Sequence, residues 1–334
     1  MFIAGDIGGT KTNLALFDAK QNDITPLHLE TFHSPEYQDL ETILFLYLQK
    51  LEKAYPYNKN DILALCLAVA APIREGRCKL VNLPWIIDER NIAKETSIQQ
   101  VSLINDLEAN AYGISVLKDS DFSLLFEGEP LSANKAVIAP GTGLGEAGLF
   151  WDGKTHHPFA CEGGHADFAP KDSLQIELLN YLLQKYSHVS WERIVSGPGI
   201  YRLYQFFRDY KKREEPIWLK EEISKLDPPA VISEHALKGD SEICSETLDL
   251  FVSIFGAESG NLALKMMAFG GIYLGGGIPP KILPLLKKPL FHEALINKGR
   301  LKEVLQKIPV KVILDQKTAL KGAARYCTLF HQVN

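Results

Sequence analysis

The sequence predicts an α/β protein of two domains, and three observations support that reading. Strand-like and helix-like stretches alternate from one end of the chain to the other. The length, 334 residues, favours two hydrophobic cores over one. Glycine-rich breaks recur directly after apolar runs, at "GDIGGTKTN", "APGTGLG" and "LGGGIPPK". Open α/β sheets bind ligands at such strand ends.

The elements follow in order. "FIAG" and "NLALF" read as two strands of a hairpin, because Gly8-Gly9 lies between them. "TILFLYLQKLEKA", residues 42–54, has helical periodicity. "DILALCLAVA" is a buried strand, too short to span a bilayer, with Pro72 just beyond it. "VSLIND" is a strand ending on Asn105-Asp106, and "LEANAYGISVL" continues as a helix. "KAVIAPGTGLGEAGLFWDG" reads as strand, glycine turn, strand. Helices follow in "SLQIELLNYLLQKYS", from about residue 196 to 213, and in "SETLDLFVSIFGAESGNLALKMMAF" with Gly256 and Gly260 inside. "GIYLGGG" is a strand entering a third glycine turn, "VKVILD" a last strand and "TALKGAARYCTLF" a last helix.

Composition narrows the function. A net charge of −5 with no basic tail argues against nucleic acid as a partner. The first residues have no basic segment and reach Asp6 at once, so a signal peptide is not expected, and since the longest apolar run is too short to span a bilayer, no membrane partner is expected either. The five cysteines (Cys66, Cys78, Cys161, Cys244 and Cys327) are scattered, odd in number and form no C-x-x-C pair. They read as reduced thilos of a cytoplasmic protein and not as a zinc knuckle.

Each glycine motif has two readings. In the first hairpin, glycine leaves backbone N–H groups uncovered, and such groups in a tight turn make an anion nest. Thr10 and Lys11 suit phosphate, whereas Asp6 repels it unless a cation sits between. The stretch is therefore a phosphate and divalent-metal turn, or an ordinary hairpin with a polar tip. "GGTKT" lacks P-loop spacing, since Lys11 does not follow a glycine. "PGTGLG", residues 140–145, precedes a strand rather than a helix, which favours a phosphate hairpin over a dinucleotide fingerprint. Gly276-Gly277 either admits a flat ligand such as adenine or simply joins a strand to a helix.

The remaining candidates are polar side chains. Asp106 places a carboxylate at a strand end, where it serves a ligand or caps the next helix. "CEGGHADF" brings Glu162 and His165 together across two glycines, and "WERIVSGPG" presents Glu192 before another turn. Two carboxylates and an imidazole with flexible turns suit hydrogen bonding to several hydroxyls, because each carboxylate can accept from two; the alternatives are a surface loop and a helix-initiating acid. There is also an internal echo. "IAGDIGGTKTNL" and "IAPGTGLGEAGL" align with Ile3/Ile138, Ala4/Ala139, Gly8/Gly143 and Leu14/Leu149 in step. That suggests one related hairpin per domain, together forming a two-sided phosphate clamp.

The order "GDIGGTKTN", "LIND", "PGTGLG", "EGGH", "ER..SGPG", "GGGIPPK" resembles the bacterial glucokinase family of the hexokinase–actin–Hsp70 superfamily. The resemblance runs nearly end to end. It implies a two-domain actin-like ATPase (ribonuclease H-like) fold with a cleft between the domains. The first domain would span 1–106 and 316–334, and the second 107–315. It implies ATP-dependent phosphorylation of D-glucose at the 6-hydroxyl, with Mg2+, in a cytoplasmic homodimer.

Site roles follow from the same resemblance. Asp6 would lie near magnesium, directly or through water, with Gly8, Gly9, Thr10, Lys11 and Asn13 in the first phosphate hairpin. Gly141, Thr142 and Gly143 would hold phosphates from the second domain, and Gly276 and Gly277 would lie near adenosine. Asn82, Asn105, Asp106, Glu162, His165 and Glu192 would bind the sugar, with Asp106 as catalytic base. Two departures stand out. Thr10-Lys11 resembles the repressor/open-reading-frame/kinase (ROK) family, yet the "CxCGxxGCxE" zinc element of that group is missing, so zinc is not expected. "VNLPW" replaces the usual Thr-Asn-His sugar loop. The rival readings are a ROK-type kinase for another hexose or N-acetylhexosamine, an actin/Hsp70-like ATP-switched scaffold, and a dehydrogenase.

Overall fold

The computed structural model describes residues 1–18, 24–55, 61–80, 82–129 and 131–330. The chain divides into two compact units, Met1–Asp119 with Asp315–Asn334, and Ser120–Leu314. The first unit contains β1 (Phe2–Ile7), β2 (Lys11–Phe17), β3 (His28–His33), α1 (Leu40–Ala54), β4 (Ala64–Val69), β5 (Arg77–Lys79), β6 (Ile86–Asp88), α2 (Glu89–Thr96), β7 (Val101–Asn105) and α3 (Asp106–Ile114). The second contains β8 (Phe122–Phe126), β9 (Lys135–Pro140), β10 (Leu144–Trp151), β11 (His156–Cys161), α4 (Ser173–Leu183), α5 (Gly197–Gln205), α6 (Ile217–Lys225), α7 (Pro228–Lys238), α8 (Glu242–Met266), β12 (Ile272–Leu274), α9 (Leu283–Leu286), α10 (Pro289–Ile296), α11 (Lys302–Leu305) and β13 (Val310–Ile313). The chain then returns to the first unit as α12 (Thr318–Phe330).

The first unit is a five-stranded sheet in the order β3-β2-β1-β4-β7. Its strands β1, β4 and β7 run parallel. Residues two apart share a face of a strand, and β4 shows what that period does here. Leu65, Leu67 and Val69 pack with Leu40 and Ile43 of α1 and Ile92 of α2. Ala64, Cys66 and Ala68 pack with Ala109 of α3 and with Ala319 and Ala323 of α12. Both faces are covered, so the strand reads as an unbroken apolar run. The small side chains between α3 and α12 let the two helices approach closely: Gly322 lies so near the Ala109 carbonyl that a β-carbon would overlap it. This pairing carries the first unit through α3 to Asp119 instead of ending it at 106.

The second unit holds a six-stranded sheet in the order β11-β10-β9-β12-β13-β8. Strands β9, β12 and β13 are parallel, and β9, β10 and β11 form an antiparallel meander. The helix expected over residues 196–213 is shorter: α5 stops at Gln205 and a wider turn continues over Phe206–Tyr210. Helix α7 lies in sequence that periodicity did not single out. It begins Pro228-Pro229, and proline fits a first helical turn, where no N–H donor is needed. All five cysteines are free thiols. No helix among the described residues is long and apolar enough to cross a membrane.

Candidate active site

The carboxyl ends of β1, β4 and β7 lie along one edge of the first sheet, with Ile7 beside Val69 and Val69 beside Asn105. Asp6 and Asp106 therefore stand at the same edge, two strands apart, which is roughly 10 Å by ordinary strand spacing. Asp6 pairs across the hairpin with Asn13, whose Nδ2 donates to Asp6 Oδ2 at 3.5 Å. Burial raises the Asp6 pKa above the usual carboxylate range, against the lowering effect of Asn13. The bend is closed by the Gly8 amide donating to the Lys11 carbonyl at 2.9 Å. Thr10 and Lys11 are exposed beside it.

One residue that the sequence did not single out braces this bend. Ser34 is fully buried. Its hydroxyl donates to the Gly8 carbonyl at 2.8 Å and lies 3.0 Å from the Thr12 hydroxyl. Its amide donates to the Thr10 carbonyl at 3.0 Å. Asn82 lies against the same bend, since a β-carbon on Gly9 would sit 2.9 Å from Asn82 Cβ. The turn and the Asn82 loop are thus neighbours within one unit.

Asn105, and not Asp106, caps α3. Asn105 Oδ1 accepts from the Leu107 amide at 2.9 Å and the Glu108 amide at 3.4 Å. Asp106 is the first residue inside the helix, with its Oδ1 3.0 Å from the Leu107 amide. The capping alternative for Asp106 is therefore filled by its neighbour.

In the second unit the β9–β10 bend is Gly141-Thr142-Gly143, lying between the paired residues Pro140 and Leu144. The Gly141 carbonyl accepts from the Gly197 amide at 2.8 Å. Glu192 Oε2 accepts from the Leu144 amide at 3.0 Å, directly at the foot of the bend. The loops bearing Glu162, His165 and Glu192 are stitched together: the Trp191 amide donates to the Ala166 carbonyl at 3.1 Å and the Phe168 amide to the Val189 carbonyl at 2.9 Å. Phe168 and Trp191 pack edge to face beneath them at 5.1 Å. Glu162 and His165 remain exposed, available to a ligand.

The third glycine turn adjoins the second at the carboxyl edge of this sheet. Leu274 of β12 pairs with Ile138 of β9, and the Ile278 amide donates to the Pro140 carbonyl at 3.3 Å. Gly276 has φ +80° and its α-carbon faces the Pro140 carbonyl, so neither the backbone angle nor the space admits a side chain. Gly277 faces open space. A cavity of about 830 Å³ opens here, lined by Gly141, Thr142, Gly277 and Ile278 together with Tyr201, Pro229, Ser233 and Leu237. The last four come from α5 and α7, and no motif in the sequence marked them.

A family model for glucokinase matches residues 3–329. A glucokinase of Nostoc punctiforme is 40% identical over 339 residues, covering 97% of this chain and 98% of the relative. The chain belongs to the glucokinase family. Among solved structures, a glucokinase from an Antarctic psychrotroph superposes with a TM-score of 0.82 at 32% identity, covering 97% of this chain and 98% of that one. A ROK-family glucokinase from Streptomyces griseus, solved with glucose and AMPPNP, gives 0.65 at 20% identity over 97% and 98% of the two chains, which is a likeness of fold. The fold is the actin-like ATPase fold, and the chain is an enzyme, an ATP-dependent glucose phosphotransferase. The family resemblance and the fold class expected from the sequence both hold.

The internal echo needs adjusting within this glucokinase fold. The first bend carries residues 8–11 between the paired Ile7 and Thr12, and the second carries residues 141–143 between Pro140 and Leu144. Gly8 opens its turn whereas Gly143 closes its own, so the alignment that matches them slips across the bend. A similar strand-turn-strand device recurs, but the glycines do not occupy equivalent positions.

Proposed function

We propose that Asp106 is the general base for phosphorylation of the D-glucose 6-hydroxyl. The observation behind this is the position of Asp106 directly after β7, at the carboxyl edge of the sheet that also bears Asp6 and the glycine bend against which Asn82 lies. Asp106 takes the hydroxyl proton as the sugar oxygen bonds to the terminal phosphorus, and ADP leaves with the electrons of the broken P–O bond. Such transfers depend on positioning and on charge stabilisation more than on covalent help from the protein. The bend of residues 8–11 and that of residues 141–143 direct backbone N–H groups at ATP phosphates, and the cavity beside Gly277 takes adenosine. Glu162, His165 and Glu192 accept or donate to sugar hydroxyls, with Asn82 and Asn105 supplying amide donors.

Magnesium fits this donor set. Among the described residues no cluster of three or more His, Cys, Asp or Glu could hold a metal ion. A lone, half-buried carboxylate such as Asp6 suits a cation that keeps waters and relies on substrate phosphates for its other ligands. When bound, the ion would supply charge neutralisation at the phosphates, while Asp6 holds it directly or through water. The family resemblance further supports a cytoplasmic homodimer, which sedimentation would test.

A panel of hexoses and N-acetylhexosamines with ATP, followed by product identification, tests the reading. Glucose 6-phosphate is the expected product, and turnover of chelated enzyme should return with magnesium. Preferred use of another sugar, or tightly bound stoichiometric zinc, would move the chain toward the ROK reading.

A further inference from the structure

Beneath the Glu162–His165 loop lies a buried acidic pair that the reaction itself does not use. Glu146 of β10 is 1% exposed and Glu258 of α8 is 0% exposed. The two are unequal in their partners. Glu258 accepts from Asn261 Nδ2 at 2.7 Å and from Lys265 Nζ at 3.2 Å. Asn261 is itself held by Lys298 Nζ, which donates to its Oδ1 at 2.6 Å. Among the described residues Glu146 has no such donors, and its Oε1 has no hydrogen-bond partner there. An ionised carboxylate without donors is costly to bury, and two facing carboxylates cannot readily both ionise.

The position of Glu146 ties it to the sugar loop. Across the β10–β11 ladder it pairs with Cys161, whose thiol donates to the Glu146 carbonyl at 3.5 Å. Its Oε2 lies directly against Gly163, where a β-carbon would collide with it. Gly163 separates the backbone of Glu162 from that of Gly164 and His165. Two residues before Glu146, the Leu144 amide is held by Glu192.

We propose that Glu146 is a positioning residue: its neutral carboxyl group, donating to Glu258, fills the space under Gly163 and holds Glu162 and His165 in place for the sugar. The inference rests on the reading of Glu162 and His165 as sugar ligands. In this state Glu258 is the ionised member: burial raises its pKa as well, but it alone of the two has Asn261 and Lys265 bonded to it to oppose that rise. Burial first, and the facing Glu258 second, push Glu146 up to about 8. The groups facing the pair are Glu258, Asn261 and Lys265 of α8, Lys298 beyond α10, and the Cys161 thiol of β11, which burial pushes up. Loss of the Glu146 proton puts two negative charges in one dry space, draws in water and displaces Gly163. Sugar affinity then falls while the nucleotide cavity, lined by other residues, is unaffected.

The sign is fixed by the proton: the neutral form is the competent one, so the loss occurs as pH rises. The test is the pH dependence of KM for glucose and for ATP in wild type, Glu146→Gln and Glu258→Gln, from about pH 6.5 to about pH 9.5. In wild type, KM for glucose should turn upward near 8 and climb toward tenfold per further pH unit, the limit for one ionisation. KM for ATP should show no such break. Glu146→Gln cannot ionise and still donates to Glu258, so it should keep a low KM and lose the break. Glu258→Gln removes the opposing charge and should move the break to lower pH. Infrared spectra of wild type should show a protonated carboxyl band that disappears over the same range, a readout that needs no variant to fold. A flat wild-type profile, a break that survives in Glu146→Gln, or no titrating carboxyl band would each overturn the inference. Glu162→Ala separates the two readings. If it leaves KM for glucose unchanged, the sugar-site reading fails and this inference with it. If it weakens glucose while Glu146→Gln keeps the break, only the positioning role of Glu146 fails.

Discussion

The carboxyl edges of the two sheets use the same backbone device for different chemistry. In the first unit the edge carries carboxylates: Asp6 one pair before the bend and Asp106 two strands away. In the second unit the edge that bears the Gly141–Gly143 and Gly276–Gly277 turns has no carboxylate in the turns themselves, and it opens into a cavity lined largely by apolar side chains. Each bend is braced from outside its own hairpin, the first by a serine hydroxyl and the second by Glu192 and the Gly197 amide. The difference suggests a division of labour. On the function proposed above, one edge would supply charge where a proton and a cation are handled, and the other would supply shape and N–H groups where a neutral base and phosphates are held.

The largest effect should come from the charged edge. Asp106→Asn removes the proposed base and keeps the shape, and general-base contributions are typically ~10²- to 10⁴-fold in rate. We expect kcat to fall by about that factor, with glucose binding by calorimetry largely retained. A variant that kept more than about a tenth of wild-type kcat would place the proton acceptor elsewhere. It would also dissolve the contrast between the edges.

The next largest effects should separate two acids of the second unit. Glu162 is an exposed loop residue, whereas Glu192 also holds the Leu144 amide at the foot of the Gly141–Gly143 bend. Loss of one charge-assisted bond is worth roughly 1.5 to 3 kcal/mol, about ten- to a hundredfold. Both Glu162→Ala and Glu192→Ala should weaken glucose by that amount, and non-additively, because both are assigned to one sugar ring. Glu192→Ala alone should also weaken an ATP analogue, because it releases the bend. Equal nucleotide affinity in the two variants would mean that the Glu192–Leu144 bond does not shape a phosphate-binding turn at Gly141–Gly143.

The strands, the long helix and the glycine turns were legible in the sequence because apolar periodicity and glycine act locally. β4 announced itself through residues buried on both faces, and α8 through its length. The family was legible because its motifs stand in a specific order. What was not legible depends on partners distant along the chain. Ser34 is an ordinary serine until its hydroxyl is seen on Gly8, and Glu146 reads as a strand residue until Glu258, from a helix more than a hundred positions later, is placed against it. The cavity wall from α5 and α7 was hidden for the same reason. Asp106 was ambiguous because Asn and Asp cap helices equally well, and only the geometry of α3 assigns the cap to Asn105.

The smallest effects should come from the two braces, and their difference is the finest probe of the comparison. Ser34→Ala removes a buried hydroxyl that bonds the Gly8 carbonyl and leaves the Thr12 hydroxyl without that neighbour. Ser196→Ala is its counterpart. Ser196 Oγ donates to the Glu192 carbonyl at 2.7 Å and accepts from the Gly199 amide at 3.1 Å, next to the Gly197 amide that holds the second bend. Each loss should cost about 1 to 3 kcal/mol of stability, since a buried partner is left unsatisfied. In units of this size each kcal/mol lowers Tm by roughly 2 to 4 °C. Each variant should also raise KM for ATP by up to about tenfold, through a loosened bend, with kcat little changed. The variants should part on magnesium. Ser34 braces the bend that follows Asp6, so Ser34→Ala should raise the magnesium concentration needed for half-maximal rate. Ser196→Ala should leave that concentration unchanged, because the bend it supports carries no carboxylate. Magnesium titrations of both variants at saturating ATP decide the matter. A matching shift in both would show that the cation depends on the two edges alike, and the assignment of charge to one edge and shape to the other would fall.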